Sequence, residues 1–172
     1  MIETISDIMR QITRIFVHCT ASWQNTTTVE SLKKEFRDKG WKNPGYHYVI
    51  FPDGIIMKML EETQVANGVK GYNSHSIHVA WVGGIEYGYY DDKDANVKTK
   101  LVSVDNRTKY QKLALFDLLT KLKLKYKEAT IMGHRDISPD LNHNGVVDPW
   151  ERIKDCPCFD AMVEYMDINK IG

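Results

Sequence analysis

The sequence predicts a single α/β domain built on one central mixed β-sheet flanked by helices. Two observations predict it. Short apolar runs of strand length alternate along the chain with segments of helical periodicity. The 172 residues also suit one domain with a full core, and no internal repeat is evident.

The elements follow in order. Residues 1–11 read as a loosely held leader and 12–172 as the folded domain. Thr13 to His18 is the first strand, followed by a loop over Ala21 to Thr26. Thr27 opens a helix with Glu30 completing a capping box, Val29, Leu32 and Phe36 recur at helical spacing, and Gly40 stops it. Tyr46 to Phe51 and Ile55 to Met59 form a hairpin across Pro52-Asp53-Gly54. Ser76 to Val82 is a strand ended by Gly83-Gly84. Residues 86–105 are polar and read as a long surface loop. Asn106 caps a helix running to about Tyr126, with Leu113, Phe116 and Leu119 on one face. Lys121, Lys123, Lys125 and Lys127 crowd its end, where cations suit the helix dipole. Thr130 to Met132 is the last strand, and Phe159 to Ile168 the last helix.

Composition narrows the function. Lys plus Arg equals Asp plus Glu at 23 each, so no broad attraction to nucleic acid or anionic membrane is expected. No apolar run approaches the roughly 20 residues of a membrane span. The N-terminus Met1 to Asp7 lacks the basic and apolar regions of a signal peptide, so synthesis in the cytoplasm is expected. The three cysteines, with Cys156 and Cys158 only two apart, argue for reduced thiols or metal ligation. Cys19 follows His18 on a strand, points to the opposite face, and reads as a small buried hydrophobe.

Three residues sit where metal ligands belong. His18 ends the run Ile15-Phe16-Val17, and His134 follows Thr130-Ile131-Met132-Gly133. Cys156 lies in Lys154-Asp155-Cys156-Pro157, although the Cys-Pro-Cys run leaves Cys158 as a competitor. Two imidazoles and a thiolate would leave one tetrahedral position on zinc open, the mark of a catalytic site. A second pattern, Asp140 to Glu151, fits the calcium-loop signature D-x-[DN]-x-[DN]-G-x5-E. Asp140, Asn142, Asn144, Asp148 and Glu151 would offer side-chain oxygens and Val146 its carbonyl, with Gly145 at the turn. The competing reading is an Asn-Gly turn in an inserted loop.

Read together, Ile15-Phe16-Val17-His18-Cys19, Gly45-Tyr46-His47-Tyr48, Lys70-Gly71-Tyr72-Asn73, Val82-Gly83-Gly84, Gly133-His134-Arg135-Asp136 and Lys154-Asp155-Cys156-Pro157 resemble the zinc-dependent N-acetylmuramoyl-L-alanine amidases of the peptidoglycan recognition protein superfamily. The bacteriophage amidase-type lysozymes are the most similar branch. The resemblance runs from about Ile15 to about Ala161. It implies His18, His134 and Cys156 as zinc ligands, because the family's ligand directly precedes the proline, and Tyr46 and Lys154 as catalytic side chains. It implies hydrolysis of the amide between N-acetylmuramic acid and L-alanine in peptidoglycan, by an enzyme acting on the cell wall after release in phage or prophage lysis; the sequence does not give the oligomeric state, and a monomer is the expectation. The alternative is a muropeptide binder without catalysis, although such binders typically lose the cysteine. The chain departs from the pattern in three places, one of them a stretch between Arg135 and Lys154 that is longer than in the short phage enzymes. Asn67-Gly68-Val69 stands where phage enzymes often carry a histidine, and His78 stands where the family has a small residue. His47 reads as structural, and His75, His78 and His143 have no assignment.

Overall fold

The computed structural model describes residues 10–90 and 98–172. Its strands are β1 (Arg14–Cys19), β2 (Tyr48–Ile50), β3 (Ile56–Lys58), β4 (Ser76–Trp81), β5 (Ile85–Tyr90), β6 (Lys98–Ser103) and β7 (Thr130–Gly133). Its helices are α1 (Val29–Asp38), α2 (Lys109–Lys125), α3 (Ala161–Glu164) and α4 (Met166–Asn169). The sheet order is β3-β2-β4-β1-β7, with β5 and β6 forming a separate ribbon. Only β2 and β3 pair antiparallel within the main sheet, so it is mixed, as expected.

The two inner strands β4 and β1 are buried along almost their whole length. That explains why they read as apolar runs rather than alternating ones. Ile15, Val17, Ile77, Val79 and Ile131 join α2 and the C-terminal segment in one core cluster. On the opposite face, Leu32 and Phe36 of α1 pack on Val49, Ala80 and Val82. Phe16, His18 and His78 share that second face by strand alternation and register.

Several boundaries differ from the sequence reading. The capping box of α1 pairs Thr28 with Ser31, not Thr27 with Glu30, because the serine hydroxyl reaches back to the Thr28 N–H at 2.9 Å. Thr108, not Asn106, caps α2, with Gln111 closing the box. Asn106 instead accepts from the Gly84 N–H at 3.0 Å and donates to the Ile85 carbonyl at 3.1 Å. Gln111 is fully buried and donates to the carbonyls of Ile50 and Val82, tying α2 to β2 and the end of β4. The inward face of α2 is Leu115, Leu118, Leu119 and Leu122, while Leu113 and Phe116 are exposed. Apolar residues surround this helix, so periodicity alone could not choose the side; each buried leucine contributes roughly 1.5–3 kcal/mol. Lys123, expected in a solvated helix end, is instead buried and donates to the carbonyls of Lys127 and Ala129 just beyond the helix.

The expected loop over 86–105 is largely a hairpin, with Ile85 opposite Ser103 and Tyr90 opposite Lys98. Its polar residues hid the alternation, although tyrosine, threonine and valine are good strand formers. Residues 91–97 lie outside the described residues, as do 1–9 of the expected leader. Arg10, the next residue, is tied down: it donates to the carbonyls of Glu62 and Asn73. The expected final helix is two four-residue pieces meeting at Tyr165, which is buried in the core.

Candidate metal centre

Strand register builds the site. Val17 of β1 pairs with Gly133 of β7, so His18 and His134 emerge side by side at the carboxyl ends of two adjacent parallel strands. Their rings lie 5.1 Å apart, edge to face. The chain returns after residue 150 and lays Cys156 against both. Its carbonyl accepts from the Arg135 N–H at 2.8 Å, and its sulfur accepts from the Cys19 N–H at 3.3 Å. Gly133 makes room for this return, since a Cβ there would sit 2.5 Å from Pro157 Cδ. The outcome is three donor atoms, one each from His18, His134 and Cys156, within 4.8 Å of one another. His18 turns its Nδ1 toward the Cys156 sulfur, 3.6 Å away.

The three residues line a cleft of about 460 Å³ that also touches Tyr46, Lys154 and Trp41. Tyr46 packs its ring 5.3 Å from that of His18 and edge-on against Phe36 at 5.6 Å. Lys154 is exposed. Burial, reinforced by His78, His134 and Lys154, holds His18 well below the usual histidine range. Burial and then the Lys154 charge bring His134 to about 4. Both rings are therefore neutral at pH 7, the form that can ligate a metal. Hydrogen bonding with Cys19, then burial, pushes the Cys156 thiol up. A cation among the donors would reverse that, because it takes the thiolate. Burial likewise raises the Tyr46 phenol, which stays protonated.

Comparison with known proteins gives the family. The model of the N-acetylmuramoyl-L-alanine amidase family matches residues 9–157. An endolysin of Klebsiella phage KP32 is 33% identical over 152 residues, covering 88% of this chain and 83% of the relative. The chain belongs to the N-acetylmuramoyl-L-alanine amidase family. Solved structures share the fold of this amidase at lower identity. LysC, an N-acetylmuramoyl-L-alanine amidase from Clostridium intestinale, superposes with a TM-score of 0.66 at 21% identity, covering 92% of this chain and 86% of the other. PGRP-SA from Apis mellifera reaches 0.62 at 16% identity, covering 91% and 81%.

In this peptidoglycan amidase the Cys-Pro-Cys ambiguity has a geometric answer. The Cys158 sulfur lies 3.5 Å from the Cys19 sulfur and 3.5 Å from the Gly84 carbonyl, away from the histidine pair. Cys19 is buried, as expected, but its backbone N–H also serves the site through Cys156. His47, expected to be structural, is fully buried; its Nδ1 accepts from the His78 N–H at 3.0 Å and its Nε2 faces the Gln64 carbonyl. His78, unassigned from sequence, sets its Nδ1 3.0 Å from His18 Nε2.

The 140–151 loop closes on itself. The Asp140 carboxylate accepts from the N–H groups of Asn144 and Gly145. Glu151, only 4% exposed, accepts from those of Leu141, Asn142 and Asp148. Asn142 and Asn144 both donate to Asp148, and Val146 is exposed.

Proposed function

We propose that this amidase is zinc-dependent and hydrolyses the amide between the lactyl group of N-acetylmuramic acid and L-alanine. The observation that carries the reading is the convergence of His18, His134 and Cys156, with donor atoms within 4.8 Å, in the wall of a cleft. Two nitrogens and one sulfur form a zinc donor set, and three protein ligands leave one coordination position free. When bound, the ion supplies Lewis acidity toward a carbonyl and toward water.

The chain supplies the remaining work. The amide oxygen gains negative charge as water attacks, and the Lys154 ammonium is the donor for it. Its exposure and its place two residues before Cys156 support that role. The Tyr46 phenol, protonated and beside His18, orients the attacking water by a hydrogen bond. The proton that the attacking water gives up must reach the leaving amine, and either group can protonate the amine and be reprotonated from that water. Metal analysis of the purified protein should find about one zinc per chain. Digestion of sacculi should free L-alanine amino termini without new reducing sugar ends. New reducing ends would mean glycan cleavage and a different enzyme.

The setting belongs to the same proposal. A relative bearing the name endolysin supports a role in phage or prophage lysis, with action on the wall after release. No helix among the described residues is long and apolar enough to cross a membrane.

The proposal extends to calcium in the 140–151 loop. The twelve-residue pattern alone supports it, since the Asp140 and Glu151 carboxylates accept here from the loop's own N–H groups. Calcium should raise the melting temperature by binding the folded state, and Glu151→Gln should remove the rise. A titration at millimolar calcium with neither heat nor thermal shift returns the loop to a self-bonded turn.

A further inference from the structure

We infer that His78 is a positioning residue for the metal centre, and that Gly68 exists to admit it. The inference rests on the proposed zinc site, because His78 acts through His18. β4 pairs with β1 so that His78 stands opposite Phe16 and diagonal to His18 on the same face. The imidazole is fully buried and stacks on Phe16 at 5.5 Å with 8° between the planes. On its other side the His47 ring lies parallel within 5°, and His47 Nδ1 accepts the backbone N–H of His78. The ring is thus held between two flat neighbours.

Among the described residues its one side-chain hydrogen-bonding partner through the ring is His18. Nδ1 of His18 faces Cys156, so the neutral ligand ring carries its proton on Nε2 and donates it to His78 Nδ1. This hydrogen bond selects the tautomer and fixes the rotation of the ligand ring. His78 then keeps its own proton on Nε2, which is buried and has no partner among the described residues. Buried polar atoms are seldom left so. The fold accepts an orphaned N–H at one end of His78 while the other end holds His18.

Gly68 supplies the room. A Cβ at position 68 would sit 2.2 Å from His78 Nδ1 and 2.5 Å from its Cγ, so no other residue fits beside this imidazole. The obstruction is the ring and not the backbone, since Gly68 is absent from the glycines with positive φ. The absent side chain at 68 and the imidazole at 78 therefore compete for one volume.

The test is a set of variants read by zinc affinity, in competition with a chromophoric chelator, alongside amidase rate and metal-free melting temperature. His78→Ala should weaken zinc about 10- to 100-fold, the usual effect of losing a residue that orients a ligand. His78→Asn should recover most of that, because its amide oxygen can stand where Nδ1 stands and accept from His18. Gly68→His alone should weaken zinc by collision, and adding His78→Gly to it should restore binding above either single variant. A zinc-loaded parent whose His78→Ala form holds zinc as tightly overturns this inference alone. So does equal weakening in His78→Ala and His78→Asn at matched melting temperatures, or a double variant no better than its parts. A parental protein that takes up no zinc overturns the proposed function, and this inference with it.

Discussion

Cys156→Ser should give a folded protein that retains no zinc after dialysis and releases no L-alanine termini from sacculi. The main-chain carbonyl of Cys156 holds the return loop to the Arg135 N–H, and that bond survives the substitution. What is lost is the thiolate. A serine hydroxyl stays protonated near neutral pH and its shorter reach moves the donor away from His18 Nδ1. Two neutral imidazoles then remain, a poor hold for a catalytic zinc. Cys158→Ser is the matched control. Its sulfur contacts Cys19 and Gly84 rather than the histidine pair, so metal and activity should both survive. Full zinc in Cys156→Ser together with loss in Cys158→Ser would put the wrong cysteine in the site. Metal content by mass spectrometry, read before any rate, separates this from a simple folding defect.

The elements that carry the two histidines of the candidate metal centre were legible because each is a buried strand of the main sheet or follows one directly. His18 and His134 close apolar runs whose pairing, β1 beside β7, brings them together without any further device. Cys156 was legible only to within two residues, since a Cys-Pro-Cys run carries no information on which sulfur turns inward. His78 was visible only as a departure from the family pattern, with no role attached to it. It lies in the run Ser-Ile-His-Val-Ala-Trp, buried at every position, where alternation gives no sign of which face matters. Its link to Gly68 shows only in the fold, where the imidazole takes the space that a Cβ at 68 would need. The hairpin of β5 and β6 escaped for a related reason: its long polar residues mask strand alternation. The inward face of α2 was missed because leucines stand on both sides, and only the tertiary contact with Ile15, Val79 and Ile131 chooses between them.

Tyr46→Phe and Lys154→Ala should each keep zinc at the parental level and lose on the order of 10²-fold in turnover, the scale for removing a donor to a developing oxyanion. Neither change should disturb the fold. Phenylalanine at 46 keeps the ring that packs on Phe36 and beside His18, and loses only the hydroxyl. Lys154 is exposed, so its truncation leaves no cavity. The two variants should still differ in a way that separates their roles. If Lys154 stabilises charge that exists only as the carbonyl is attacked, its loss should lower kcat and leave KM near the parental value. If Tyr46 orients the water or passes a proton, Tyr46→Phe should also flatten the limb of the pH–rate profile that reports its proton transfer. Parental digestion of sacculi by both variants would remove them from the reaction. The candidate metal centre would then stand without the donors assigned to it, and the stabilising groups would have to be sought among the other hydrogen-bonding residues of the cleft wall, such as Thr20, Lys39, Trp41 and Asn67.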